Sequence, residues 1–445
     1  MVRIDLMADR ILRLGRRTFM AGLGAAALGP AMPGIAASPG RQRLLLQARA
    51  SAFELRPGQS TPIWAFQGET PDSAPRLRRG ETLEIGFQND LPVAAVLNWH
   101  GLDGVAAAEP LLARPPLSAG GRENQAISLR HAGTLLCDVR LLGDGQARPL
   151  PARPLIVAEN EPIAVDRDEV ILIEDWRLRP DGSAIAPGID PTDTTALYSV
   201  NGLATLDITA RRHQRLRFRF INGCQRAVIA IKMEGLQVQV MALDGQPCEP
   251  FPARNGALVL APGGRADAFI DAGVAPGSAS AILLHDGKQA RPIGRLLVSS
   301  EPPFRDTALP PASPLPSNGL PAQLDLKGAL RIDVPLGGPP SGWVRPANFA
   351  ASAEPAFRVK AGRSVVLALS NHGDLAAVFH LHGHHFRLLD RLDDGWKPFW
   401  LDTLAIEPGQ TQRVAFAAET AGRWLMETMA TDWAAPRLVR WYGIE

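Results

Sequence analysis

The densest potential chemistry in this chain lies in one short stretch, His380-Leu381-His382-Gly383-His384-His385-Phe386. On a strand, residues i and i+2 share a face. His380 and His382 can therefore aim at one centre, and neutral imidazole is a good ligand for copper or zinc. Hydrogen-bonded core histidines are the plainer reading. The metal reading gains from a second motif, Trp99-His100-Gly101, in a matching setting. Leu77-Arg78-Arg79-Gly80-Glu81-Thr82-Leu83 precedes Asn98-Trp99-His100-Gly101 much as Phe357-Arg358-Val359-Lys360-Ala361-Gly362-Arg363-Ser364-Val365 precedes His380-Leu381-His382-Gly383. Each half of the repeat sets a basic, glycine-containing turn before a strand and a His-Gly step about twenty residues later, the pattern of a duplicated unit.

The elements that must position these histidines read as strands throughout. Short apolar or alternating runs recur at 82–88, 170–174, 216–221, 228–233, 266–270, 364–370 and 412–417, separated by Gly, Pro, Asn and Asp. Amphipathic helical stretches are scarce, so the expectation is an all-β chain of sandwiches or barrels. Its 445 residues fit two to four domains. Prolines cluster over 301–324, which reads as an extended linker because proline cannot pair within a central strand. A second boundary near 158–162 leaves three segments of similar size, 41–158, 159–300 and 325–445.

Lys+Arg 47 against Asp+Glu 45 gives a net charge of +2, without the basic excess that a duplex nucleic acid requires. The one basic cluster, Arg211 to Arg219, alternates with apolar residues and is expected to be the solvated face of a strand. Cys137, Cys224 and Cys248 do not make a disulfide scaffold. Cys224 and Cys248 could pair, and two buried thiols are an equal alternative. Residues 1–40 read as a targeting segment to be set apart from the fold. Arg16-Arg17 is followed by Thr18-Phe19-Met20, then by a Gly/Ala-rich run to Met32 and small residues Ala36, Ala37 and Ser38 for cleavage. This resembles a twin-arginine export signal and implies a periplasmic location. The run is too short and too broken by Gly and Pro to span a bilayer, and no later stretch is long enough. A monomer is expected.

The order of motifs resembles a three-domain multicopper oxidase over nearly all of the chain after residue 40. Asn89-Asp90-Leu91-Pro92 ahead of Asn98-Trp99-His100-Gly101-Leu102 is similar to the family's first ligand motif. Gly133-Thr134-Leu135-Leu136-Cys137-Asp138-Val139-Arg140 sits where the second belongs. Ala377-Val378-Phe379-His380-Leu381-His382-Gly383-His384-His385-Phe386 matches the third, and Ala421-Gly422-Arg423-Trp424-Leu425-Met426-Glu427-Thr428-Met429 sits at the fourth. Glu174-Asp175-Trp176, Val200-Asn201-Gly202, Arg217-Phe218-Arg219-Phe220-Ile221-Asn222 and the stretch from Leu260 to Asp267 fit the middle domain. The resemblance implies three cupredoxin-like Greek-key β-sandwich or barrel domains.

It also implies a ligand set that this sequence largely lacks. The positions matching the family's three-copper cluster are Asn98, His100, Asp138, Arg140, His380, His382, Glu427 and Met429, of which three are histidine. The positions matching the blue-copper ligands are Ala377, Thr428 and Trp433, where two imidazoles and a thiolate are needed. Leu438 falls at the axial position, which tolerates leucine. Arg140 carries a permanent positive charge, so it opposes a metal cation at its position. Family counterparts of Arg140, His382 and Glu427 share one copper, so Arg140 and Glu427 are expected to form a buried ion pair. The neighbouring positions His100, Asp138 and Met429 then offer either an Asp–His hydrogen bond or a mononuclear metal site.

These substitutions favour a copper-free binding or scaffold protein with an unidentified periplasmic protein as partner, as in the copper-free cell-division members that this architecture also resembles. The alternatives are a protein with one residual copper ion, on His100, His380 and His382, or an atypical copper-dependent oxidase. With 8 Met, the chain has no Met-rich insertion of the kind that would suggest copper detoxification.

Overall fold

In a computed structural model the described residues are 41–68, 74–142, 148–338, 342–389 and 396–445. The expected targeting segment, residues 1–40, lies outside them. Among them the chain is nearly all strand, and its helical elements are the single 3-10 turns Ala106–Ala108, Arg254–Gly256 and Pro346–Asn348. No helix among the described residues is long and apolar enough to cross a membrane. Every run that the sequence marked as β falls on a strand, from Thr82–Asn89 to Thr411–Ala417, with only Val228 of the 228–233 run outside its strand, Ile229–Met233.

The strands form three cupredoxin-like sandwiches of two sheets each. In the first, Gln59–Gly68, Arg41–Arg56, Thr82–Asn89 and Arg122–Ser128 face the sheet Arg76–Arg78, Arg153–Ala158, Gly133–Leu141 and Ala95–His100. In the third, Leu330–Leu336, Ser364–Asn371, Thr411–Ala417, Phe386–Leu389 and Trp396–Leu401 face Arg358–Val359, Leu438–Ile444, Gly422–Ala430, Ala377–Leu381 and Thr403–Ile406. A parallel pair opens each sandwich: Arg41–Arg56 with Thr82–Asn89, Arg167–Leu178 with Arg215–Asn222, and Leu330–Leu336 with Ser364–Asn371. The second strand of each pair ends in a buried asparagine that closes a corner. The amide of Asn89 donates to Val93 O and Leu117 O, that of Asn222 to Ala227 O and Leu260 O, and that of Asn371 to Leu375 O and Ile406 O, all at 2.8 or 2.9 Å. The sequence repeat around the two His-Gly motifs is thus the visible part of a threefold structural one.

Alternating apolar residues of facing sheets fill each sandwich. Phe218, Phe220, Ile231 and Leu296 lie in the middle core; Ile85, Phe87, Leu97 and Cys137 in the first; Leu367, Phe379, Phe416 and Tyr442 in the third. Cys137, Cys224 and Cys248 are all free and buried, so the thiol alternative holds over the disulfide.

One expectation needs correction. Arg215, Arg217 and Arg219 are not a solvated face but are among the most buried residues, Arg217 and Arg219 at 1 % exposure. Their strand lies between Arg167–Leu178 and Arg265–Asp271. Its polar face is roofed by the first sandwich, where Thr134 Oγ1 accepts from Arg219 Nη1 at 2.8 Å and donates to Asp267 at 2.7 Å. Each guanidinium has acids to meet: Arg215 with Asp271, Arg217 with Asp267 and Glu159, Arg219 with Asp168 and Asp267. Alternation shows that one face is polar, not that it is wet. The proline-rich stretch is extended as expected, yet it is strapped down rather than loose. Arg211 holds Pro302 O, Arg215 holds Pro310 O, and Arg79 holds Ser317 O. Asn318, 5 % exposed, bonds Ala132 on both its N–H and its carbonyl.

Candidate metal centre

Two antiparallel strand pairs, one from each end of the chain, build the centre. Ala95–His100 pairs with Gly133–Leu141 so that Asn98 lies opposite Asp138 and Val96 opposite Arg140. With period-2 alternation, Asn98, His100, Asp138 and Arg140 then share one face. Ala377–Leu381 pairs with Gly422–Ala430 so that His380 lies opposite Glu427 and Val378 opposite Met429. The two faces meet. The rings of His100 and His380 stack at 4.0 Å and 19°, and those of His380 and His382 lie 4.5 Å apart. Gly263, with φ +87°, brings a loop of the middle sandwich onto His100, where a Cβ would sit 2.5 Å from the ring. Ala377 and Thr428, one residue out of phase, take the opposite face; Ala377 joins Phe379 in the core of the third sandwich.

Charge links the positions matched to the cluster. Arg140 forks onto Glu427, Nε donating to Oε1 at 3.1 Å and Nη2 to Oε2 at 2.8 Å. Its Nη1 donates to Asp138, whose other oxygen accepts from Asn98 Nδ2 at 3.0 Å. Arg437 adds a donor to Glu427 Oε2 at 3.0 Å. The expected Arg140–Glu427 pair is therefore present between the first and third sandwiches, as part of a longer chain of ions. Of the two alternatives for His100 and Asp138, the Asp138–His100 hydrogen bond is not made. A guanidinium outcompetes a neutral imidazole for a carboxylate, and Asp138 is taken by Arg140 and Asn98. His100 Nδ1 and His380 Nδ1 are buried with no hydrogen-bond partner, as is Asn98 Oδ1.

The electrostatics sort the three histidines. Burial, reinforced by neighbouring cations, pushes the pKa of His100 and of His380 well below the ordinary value, so both are neutral. Burial acts the same way on His382, but Glu109 Oε1, 2.9 Å from its Nδ1, and Glu427 reverse the effect, and its pKa ends raised. Burial would also raise the Glu427 carboxyl, but Arg140, Arg437 and His382 hold it well below the usual carboxylate range. Glu109 carried no sequence signal: it follows the 3-10 turn Ala106–Ala108 of the first sandwich and also accepts from Leu425 N of the third.

A second polar seam binds all three sandwiches beside this centre, and its acids Asp103, Asp244 and Asp402 carry no motif. Arg265, fully buried, forks onto Asp402 at 2.9 and 2.8 Å and donates to Thr134 O and Asp244 O. His385 sits between Asp103 and Asp244, Nδ1 at 2.7 Å from Asp103 Oδ2 and Nε2 at 2.8 Å from Asp244 O. Burial would lower its pKa, but the Asp103 charge raises it to about 9. Both ring nitrogens face acceptors, as suits an imidazolium.

The residues present do not fit the metals that the resemblance implies. At the blue-copper positions Ala377 offers a methyl, Thr428 a hydroxyl and Trp433 an indole whose Nε1 already donates to Ala186 O at 2.9 Å. In the cluster a guanidinium stands among the would-be donors. Donor atoms do come within 4.8 Å of one another in two smaller groups here, His100–His380–Asp402 and His380–His382–Glu427. Asp402 and Glu427 are each occupied by an arginine fork.

Sequence models described as "Multicopper oxidase" match residues 168–282 and 324–442. The chain is 25 % identical to the multicopper oxidase MmcO of Mycobacterium tuberculosis over 411 residues, covering 78 % of this chain and 76 % of that one. It is 24 % identical to copper resistance protein A of Escherichia coli over 317 residues, covering 56 % and 52 %. Among solved structures, a multi-copper oxidase from Pseudomonas thermotolerans superposes with a TM-score of 0.77 at 23 % identity, covering 92 % of this chain and all of that one. Lac15 from a marine microbial metagenome gives 0.73 at 25 %, covering 91 % and 100 %.

Proposed function

This chain belongs to the multicopper oxidase family, and we propose that within it the chain is a non-catalytic, exported member that has exchanged copper for an internal ion network and serves as a periplasmic binding or scaffold protein. One observation carries the reading: Arg140 forks onto Glu427 at 3.1 and 2.8 Å inside the centre, with Asp138 and Arg437 completing the charges. A buried fork of this kind already gives Glu427 a cation. A copper ion added there would face the guanidinium across a few ångströms of low-dielectric protein. Taking electrons from a substrate through blue copper needs an ion held by a thiolate and two imidazoles, and Ala377, Thr428 and Trp433 cannot supply those ligands.

A second reading rests on a separate observation. His100 and His380 are neutral, stacked and each left with an unpartnered Nδ1. They suit one copper ion held without the rest of the cluster; His382 is drawn instead toward Glu109. The test is metal analysis of protein purified from the periplasm after copper supplementation, with its absorption spectrum and oxygen uptake. No stoichiometric copper supports the scaffold reading, and one ion per chain without an intense copper–thiolate band supports the second. A blue band or copper-dependent oxygen consumption would overturn both.

A further inference from the structure

A cavity of about 380 Å³ opens from the edge of the ion network to solvent between all three sandwiches. Among the described residues its charged lining is lopsided: Arg140, Arg148, Arg226, Arg345 and Arg437 against the single carboxylate of Asp138. Glu427, behind the wall, neutralises part of this through Arg140 and Arg437. Arg226 is the decisive member. It is 6 % exposed, and it donates to neutral carbonyls: Ala435 O at 3.2 and 3.0 Å and Gln225 O at 2.7 Å. Asp175, the acid that favours its charge most, accepts instead from Gln225 N at 2.7 Å and forms no ion pair with it. Even with Asp138, Glu427 and Asp175 counted together, the guanidiniums of Arg140, Arg148, Arg226 and Arg437 outnumber these three acids among the described residues. Burial, then Arg437, lowers the Arg226 pKa to about 9, which leaves it charged at neutral pH.

A buried, unpaired cation costs several kcal/mol unless an anion meets it, and this one lines a cavity with room for an anion. We propose that this cavity is a binding site for a small organic anion carrying two or more negative charges, with Arg226 at its floor and Arg148 and Arg345 at its mouth. Guanidiniums present paired N–H donors in a plane that matches carboxylate and phosphoryl oxygens alike, so the shared chemistry is a multivalent oxyanion. The site rests on the copper-free reading, because Arg140 and Arg437 enter it as charges of the ion network.

The experiment is calorimetric titration of the full chain with citrate and, separately, with pyrophosphate at fixed ionic strength, alongside acetate as monovalent control. Saturable binding of one citrate or one pyrophosphate per chain, with acetate at least tenfold weaker, is expected. A preference for citrate assigns a carboxylate ligand, and a preference for pyrophosphate a phosphoryl one. Arg226→Gln should weaken binding tenfold or more, as the loss of a charge-assisted hydrogen bond does. Because a buried change can unfold the chain, the paired mouth variant Arg148→Gln/Arg345→Gln is measured as well, with an expected loss of about three- to tenfold. Absence of saturable binding by either anion at millimolar concentration, or affinity unchanged in a folded variant, overturns the site. Metal content of the same sample separates the two failures, since copper-free protein that binds no anion sinks the cavity proposal alone.

Discussion

At the scale of single residues, the ion chain Asp138–Arg140–Glu427–Arg437 is the feature that most separates this centre from a metal site. Glu427→Ala removes the carboxylate that Arg140 and Arg437 share, and should cost about 3–5 kcal/mol. Replacing Arg140 and Glu427 together with apolar residues of similar volume would be nearly neutral for an isolated pair. Here Arg437 still points at the gap and Asp138 loses its cation, so the double variant should recover only part of the loss. Adding an Arg437 replacement should recover more. Urea unfolding of the single, double and triple variants checks this, since neighbours in one network do not add; full recovery in the double variant would show that Arg437 stands apart. His385 makes a second prediction. Its pKa rises from the ordinary value to about 9 on folding. A raised pKa contributes stability that is full below the unfolded value and is lost as pH climbs through the folded one. The wild type should therefore lose on the order of 3 kcal/mol between about pH 6.5 and 9 from this group. His385→Gln should be less stable at pH 6 and show a flatter alkaline limb. Parallel limbs would mean that His385 is neutral throughout.

At the scale of elements, the strand Arg215–Asn222 shows how far a polar face can be from solvent. One side of it carries Leu216, Phe218 and Phe220, with no exposure, and the other carries three paired guanidiniums. Arg217→Met leaves Asp267 and Glu159 with less compensation and should destabilise by about 3–5 kcal/mol. Arg212→Met, at an exposed neighbouring position, should stay within about 0.5 kcal/mol. Thermal unfolding of the two variants side by side decides between a buried seam and the solvated face that the alternating pattern suggested; equal, small effects would restore the latter. The proline-rich strap obeys the same logic. Proline left its backbone without strand partners, and arginines from the first and second sandwiches took up the free carbonyls.

At the scale of the whole molecule, three sandwiches enclose charged seams where the family's relatives are named for copper. A protein with this architecture can keep its shape without metals if ions and hydrogen bonds tie the same surfaces, and Arg265 does this for all three at once. The export reading of residues 1–40 belongs to this scale too. Changing Arg16 and Arg17 together to lysine should hold the precursor in the cytoplasm, as judged by fractionation and immunoblotting. Undiminished periplasmic yield of the doubly substituted chain would rule out the twin-arginine route.

The sequence by itself determined the all-β class, the strand positions and the duplicated His-Gly unit, because period-2 alternation and turn residues are local properties of the chain. It also paired Arg140 with Glu427, since both were matched to ligands of one metal and so had to converge. The tertiary structure alone decided which polar faces are buried: Arg217 and Arg219 read as surface until another sandwich covers them. It alone supplied Glu109 and Asp402, which carry no motif and lie far along the chain from their partners, and it alone gave Arg265 and Arg437 their acids. It withdrew the Asp138–His100 hydrogen bond as well, because which of several donors wins a carboxylate depends on distances that spacing along a chain does not fix.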